Sequence, residues 1–289
     1  MNIWISGARP RTLPAAIAPV LIGTALINVD GISVNWINAL LALSVGLLLQ
    51  VAVNYSNDYS DGIRGTDEAR VGPVRLVASG LRTPKQVKRA AIFIFALAAF
   101  FGLLLALRTS PYLIIVGAAA IIAAWKYTGG KNPYGYSGLG EISVFIFFGL
   151  VATMGSYFVQ SQRITWQALL LAIPMGALSC TILGLNNLRD RPKDELVGKK
   201  TLAVRFGDTN ARYLVSAFLL LAFAASLAAF SITPWALIVI ITLPMQGKLI
   251  KATLAGASGA ALIPLLGKAG ELQLVTSLLI TLALAITRA

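Results

Sequence analysis

Long apolar runs alternate with short polar stretches along the whole chain. Apolar runs of about 15–21 residues predict helices that cross a membrane. They fall at 14–28, 36–55, 87–107, 111–125, 140–159, 166–185, 211–230, 234–249 and 272–287, so nine spans are expected. The stretch 251–270 is rich in small residues, carries Lys251 and Lys268, and is expected to lie partly at the membrane interface. In lipid the backbone must satisfy its own hydrogen bonds, so the runs read as α-helices; a barrel would show short alternating strands. The fold class expected is an all-α polytopic membrane protein, one domain over 1–289. No linker long enough to separate domains interrupts the pattern. Arg9 and Arg11 before the first run imitate a secretory leader. The run has no convincing small-residue cleavage site and more spans follow it, so a retained first span is expected.

Composition supports the same class. The chain is 57% hydrophobic and 12% charged, whereas soluble domains are about a quarter charged. A formal net charge of +13 suggests nucleic acid until the positions are read. With the N-terminus inside, nine spans put 21 of the 24 Lys and Arg residues on the cytoplasmic side and leave only Arg108, Arg163 and Arg288 outside. That asymmetry is a membrane orientation signal, and no nucleic-acid partner is expected. The chain has no histidine and one cysteine, Cys180, inside a span. An intrachain disulfide is therefore excluded, Cys180 reads as a packed thiol, and His-based catalysis and His metal ligands are absent. Carboxylates and amides remain, and these suit hard cations such as Mg²⁺.

The acids are unevenly placed. Of eleven, Asp58, Asp61, Asp67 and Glu68 follow the second run, and Asp190, Asp194, Glu195 and Asp208 follow the sixth. If the second helix continues to its polar end, Asn54, Asn57, Asp58 and Asp61 share one face. Asn186, Asp190 and Asp194 repeat the arrangement with Asn187 beside them, and Pro192 is expected to bend the last turn. Both mouths lie on the cytoplasmic side. Ionised groups at membrane depth usually face a cavity or a partner. Two such faces meeting across a cavity need cations between them, and a divalent metal with a diphosphate satisfies that need. Solvated helix ends capped by Asp and Asn are the plain alternative, but two matched motifs on one side argue against it. The loops between supply cations for phosphate: Arg64, Arg70 and Arg75, then Tyr127 with Lys131, then Lys199, Lys200 and Arg205. Positive-inside bias is the plain alternative for such loop cations. Glu141, at the start of the fifth run, reads either as a base or as the partner of a loop cation.

These residues carry a family likeness over nearly the whole chain. The stretches are Ala8-Arg-Pro-Arg-Thr-Leu-Pro-Ala-Ala-Ile-Ala-Pro-Val20, Asn57-Asp-Tyr-Ser-Asp61, Gly72-Pro-Val-Arg-Leu-Val-Ala-Ser-Gly80, Gly138-Leu-Gly-Glu141, Asn186-Asn-Leu-Arg-Asp190 and Gly198-Lys-Lys-Thr-Leu-Ala-Val-Arg205. The chain resembles the UbiA superfamily of intramembrane prenyltransferases and, within it, the menaquinone-pathway branch. The resemblance implies nine helices around a cavity capped by cytosolic loops. It implies that Asn54, Asp58, Asp61, Asp190 and Asp194 hold Mg²⁺ and diphosphate, with the four aspartates catalytic. It implies that Arg70, Arg75, Tyr127, Lys131 and Lys199 or Lys200 contact the diphosphate. The substrates implied are a polyprenyl diphosphate and 1,4-dihydroxy-2-naphthoate, whose carboxylate leaves as CO₂ to give a demethylmenaquinone. Arg9, Arg11 and Glu141 are candidates on the acceptor side. The chain departs from the family pattern at Asp67, which follows Asp61 by six residues, and at Arg75-Leu76, where Arg-Pro is usual. Another aromatic acceptor, such as 4-hydroxybenzoate or homogentisate, is the nearest alternative. A cation-coupled transporter is more remote, because transporters place their charges near the midplane.

Overall fold

The fold was analysed in a computed structural model that describes residues 2–66, 72 and 74–287. Among these residues every regular element is a helix. Ten are named here: α1 (Ile3–Ala8), α2 (Pro14–Ala25), α3 (Trp36–Ile63), α4 (Pro84–Arg108), α5 (Tyr112–Lys126), α6 (Gly140–Ser161), α7 (Trp166–Leu196), α8 (Leu202–Ser231), α9 (Pro234–Leu254) and α10 (Gly259–Ala285). Seven of them, α3, α4 and α6 to α10, are long and apolar enough to cross a membrane. The N-terminal segments Ile3–Thr12 and Pro14–Asp30 meet at a 50° bend and form an eighth if counted as one span. α5 is apolar but shorter, at 15 residues, about 22 Å of helix. The protein is an integral membrane protein built as a helical bundle.

The starts of these helices are written locally. Asn35, Thr83, Thr165 and Thr201 cap α3, α4, α7 and α8 through side-chain oxygens, each satisfying one of the donors a helix start leaves open. Thr83 and Gln86 complete a reciprocal capping box. Burial places α7 at the centre: 78% of its apolar window is buried, against 22% in α3. Small residues let the bundle close around it. A Cβ on Gly149 would lie 2.7 Å from Gly176 Cα, and one on Gly23 would lie 2.3 Å from the Thr153 carbonyl oxygen. This is close backbone approach of the kind membrane helices use in place of a hydrophobic drive. α6 absorbs its crossing with α7 in a π-helical stretch, Phe145–Val151.

Four boundaries differ from the sequence pattern. α3 runs past position 55 to Ile63, so the first acidic motif is helical throughout. α7 runs through Pro192 to Leu196 instead of bending away there. The missing Pro N–H removes one rung, and an Arg191–Glu195 pair at 3.6 Å ties the turn that follows. α8 begins nine residues before 211 and is kinked at Gly207, whose φ of 75° favours glycine. The last helix begins at Gly259, so much of the segment expected at the interface belongs to a span. Polar residues such as Lys268 and Glu271 masked that start in the apolar pattern.

Candidate active site

The polar ends of α3 and α7 face each other across a cavity of about 120 Å³. α3 contributes Asn57 and Asp61; α7 contributes Asn186, Asn187, Asp190 and Asp194. Cations line the same space: Arg9 from the N-terminal bend, Arg75 from the loop after α3, Lys193 from α7, and Lys199 from the loop before α8. Lys199 joins the two motifs. Its Nζ lies 3.5 Å from Asp61 and 3.9 Å from Asp194. Arg75 reaches the other oxygen of Asp61 at 3.8 Å. Asp190 is held by its neighbour, since Arg189 donates two hydrogen bonds of 2.7 Å to its carboxylate.

The residues on α3 divide into two sets. Positions 54, 57, 58 and 61 span about 100° of helix surface, and only Asn57 and Asp61 line the cavity. Asn54 turns to the N-terminal bend and donates to the Ala8 carbonyl (2.9 Å) and the Thr12 hydroxyl (3.1 Å). Asp58 is 0% exposed. Its two oxygens accept the backbone N–H groups of Leu76 (2.8 Å) and Val77 (3.0 Å). Asp58 thereby anchors the loop that carries Arg75.

The short loop after α5 closes another wall. Tyr136 donates to Asp61 at 2.6 Å. Lys199 Nζ lies 4.6 Å from the centre of its ring, and the Arg64 guanidinium lies 5.4 Å from it. Arg64 also donates to the carbonyls of Thr128 and Gly130, pinning this loop to the end of α3. Arg205 does the same from α8, donating to the Ser137 carbonyl at 3.0 Å. Burial, and then the Asp61 charge, push the Tyr136 phenol above its ordinary range. Burial, then Glu141, push Tyr127 up likewise. Both stay protonated near neutrality, and Tyr136 is a donor to Asp61.

Amide orientation decides which atoms face the cavity. Asn57 accepts from Thr128 through its Oδ1 (2.8 Å). Asn186 and Asn187 are turned the other way: their Nδ2 groups donate to the Ile182 carbonyl (3.2 Å) and to Glu141 (2.9 Å). Their oxygens, with Asp61, Asp190 and Asp194, make a hard, oxygen-only donor set of the type Mg²⁺ accepts. No three carboxylates converge among the described residues, so such an ion would take part of its shell from a ligand such as phosphate. The cationic residues around the acids suit that same anionic ligand.

Residues 16–254 match the UbiA prenyltransferase family. The chain belongs to this family. Among UbiA relatives, the 1,4-dihydroxy-2-naphthoate octaprenyltransferase of Mycobacterium tuberculosis is 49% identical over 98% of this chain and 96% of its own length. The protein of the same description from Escherichia coli is 36% identical over 99% and 96%. The solved structure of a UbiA homologue from Archaeoglobus fulgidus bound to GPP and Mg²⁺ superposes with a TM-score of 0.72 at 15% identity, covering 98% of this chain and 99% of that one. At that identity the likeness speaks for the fold.

Against this UbiA background the remaining candidates separate. Tyr127 lines the cavity; Lys131 is exposed and does not. Lys199 is 8% exposed and lines it, while the neighbouring Lys200 is exposed. Arg9 lines it and Arg11 is exposed. Glu141 is buried behind Asn187. Arg70 and Asp67 lie outside the described residues. Tyr136 and Lys193 were not marked by the sequence, because an isolated tyrosine in a loop and a lysine in a basic stretch carry no spacing signal.

Proposed function

We propose that this chain transfers a polyprenyl group from polyprenyl diphosphate to 1,4-dihydroxy-2-naphthoate with loss of CO₂, in menaquinone biosynthesis. The supporting observation is the cavity in which Asp61, Asp190 and Asp194 stand among Arg75, Lys193 and Lys199, in a chain 49% identical to a 1,4-dihydroxy-2-naphthoate octaprenyltransferase over nearly its full length. In this reading Asp61 on α3, and Asp190 and Asp194 with the Asn186 and Asn187 oxygens on α7, would share Mg²⁺ and diphosphate between the two faces. Asn54 and Asp58 support them by fixing the N-terminal bend and the Arg75 loop. When bound, Mg²⁺ supplies Lewis-acid stabilisation of the diphosphate charge. Arg75, Lys199 and Tyr127 donate to the leaving oxygens, Tyr136 holds Asp61 through its one O–H, and Arg9 takes the acceptor carboxylate. Arg70 is a further candidate for the diphosphate.

The bond changes balance without an oxidant. The allylic C–O bond breaks with its electron pair going to diphosphate. The ring carbon that bears the carboxylate attacks the allylic carbon. The carboxylate leaves as CO₂ and its bonding pair returns to the ring. The product is the prenylated naphthalenediol, the reduced form of a demethylmenaquinone. Apolar helices accept the prenyl chain and keep water from the electrophile. We place the single domain, 1–289, in the cell membrane with nine crossings, α5 and the bent N-terminal pair included. The N-terminus and the cavity face the cytoplasm, as the cation asymmetry favours.

The test is purified protein supplied with Mg²⁺, a polyprenyl diphosphate and two acceptors side by side. Prenylation of 1,4-dihydroxy-2-naphthoate in preference to 4-hydroxybenzoate supports the reading. Product from the benzoate alone overturns the acceptor, and product from neither overturns the reaction.

A further inference from the structure

Glu141 occupies the first turn of α6, is 4% exposed, and does not line the cavity. Its Oε1 accepts the Nδ2 group of Asn187 at 2.9 Å. An amide has two donors on one arm and an acceptor on the other, while a carboxylate only accepts. The arm of Asn187 that meets Glu141 must therefore be nitrogen. The oxygen arm is left for the cavity that Asn187 lines. Asn187 Oδ1 takes no hydrogen bond among the described residues, nor is it among the buried polar atoms that lack one.

The turn that carries this carboxylate is held on two sides. Cys180 donates its thiol to the Glu141 backbone carbonyl at 3.2 Å. Gly140 lets the Tyr127 hydroxyl pass so close that a Cβ there would sit 3.1 Å from it. Glu141 Oε2 is buried and has no partner among the described residues. A buried acceptor left open is unfavourable by about 1–3 kcal/mol; a glutamine would also accept from Asn187, but would put an amide nitrogen, equally without a partner, in place of Oε2. A merely structural hydrogen bond does not require a carboxylate here. A one-way acceptor does.

We infer that Glu141 is a positioning residue that fixes the Asn187 amide so that oxygen, not N–H, faces the cation and diphosphate. The inference rests on the metal–diphosphate reading of the cavity. A turned amide would place two N–H donors where a cation needs an oxygen ligand. Outer-sphere partners of this type set ligand affinity by orientation.

The test is calorimetric binding of Mg²⁺ with inorganic pyrophosphate to purified wild type, Glu141→Gln, Asn187→Ala and the double variant, with thermal unfolding of each. Glutamine can donate or accept, so Glu141→Gln keeps a hydrogen bond but frees the amide to turn. The expected result is affinity about tenfold weaker in Glu141→Gln, an unchanged unfolding midpoint, and a double variant no weaker than Asn187→Ala alone. Wild-type affinity in Glu141→Gln, a shifted midpoint with unchanged affinity, or losses that multiply in the double variant would overturn the inference. Absence of Mg²⁺-dependent pyrophosphate binding in wild type overturns the reading of the cavity itself, and the inference with it.

Discussion

Lys199 stands 3.5 Å from Asp61, its Nζ bridging from the loop before α8 to the polar end of α3. With its 3.9 Å contact to Asp194, Lys199 joins the acidic ends of α3 and α7, which would otherwise repel. That bridge also separates Lys199 from Lys200, which is exposed next to it. Lys199→Ala is expected to lower prenyl transfer about 100-fold, as loss of one preorganised cation does. Lys200→Ala is expected to stay within about twofold, as surface changes do. Initial rates of the two variants, measured together, decide between a site residue and a general basic loop.

Asp58 makes a different prediction from Asp61. Asp58→Asn turns an amide toward at least one of the backbone N–H groups of Leu76 and Val77. A buried donor then loses its acceptor, at about 1–3 kcal/mol. The expected outcome is a lower unfolding midpoint and faster proteolysis in the loop before α4, together with lost turnover. Asp61→Asn should lose turnover with little change in either. Thermal unfolding and limited proteolysis check the contrast.

The acidic faces show what the chain pattern could carry. Apolar runs located most spans, because a bilayer imposes length and composition on every crossing. The spacing of Asn54, Asn57, Asp58 and Asp61 showed a shared face but could not divide an arc of about 100° between cavity and loop. That division depends on where Ala8, Thr12, Leu76 and Val77 arrive. The local rule for Pro192 predicts a bend, and the helix continues past it. Tyr136 reaches Asp61 only through tertiary folding of the loop after α5, and nothing near it in sequence marks it.

Tyr136→Phe removes the hydroxyl that donates to Asp61 and leaves the ring in place. Turnover is expected to fall about tenfold, the scale of one hydrogen bond to a charged group. The phenol is raised by burial and by the Asp61 charge, so it is protonated below its ordinary pKa of about 10 and beyond. Ionisation of Tyr136 therefore contributes nothing between about pH 6 and about pH 9. Rate profiles of wild type and Tyr136→Phe should have the same shape across that window. A limb present only in wild type would count against this role.

The crossing of α6 and α7 predicts a stability effect remote from the cavity. A Cβ at Gly149 would press on Gly176 backbone at 2.7 Å, and backbone cannot swing aside as a side chain does. Gly149→Ala is expected to destabilise by about 1–3 kcal/mol, the range for overpacking. Gly155→Ala meets open space and should change little. Unfolding midpoints of the two variants in one detergent test this.

The most direct measurement is the fate of the acceptor carboxylate during turnover by the purified protein. With Mg²⁺, polyprenyl diphosphate and carboxyl-labelled 1,4-dihydroxy-2-naphthoate, one labelled CO₂ should appear for each prenylated product. Both should stop on chelation and resume when Mg²⁺ is restored. Prenylated product that keeps the label, or turnover indifferent to chelation, would contradict the assignment of this cavity.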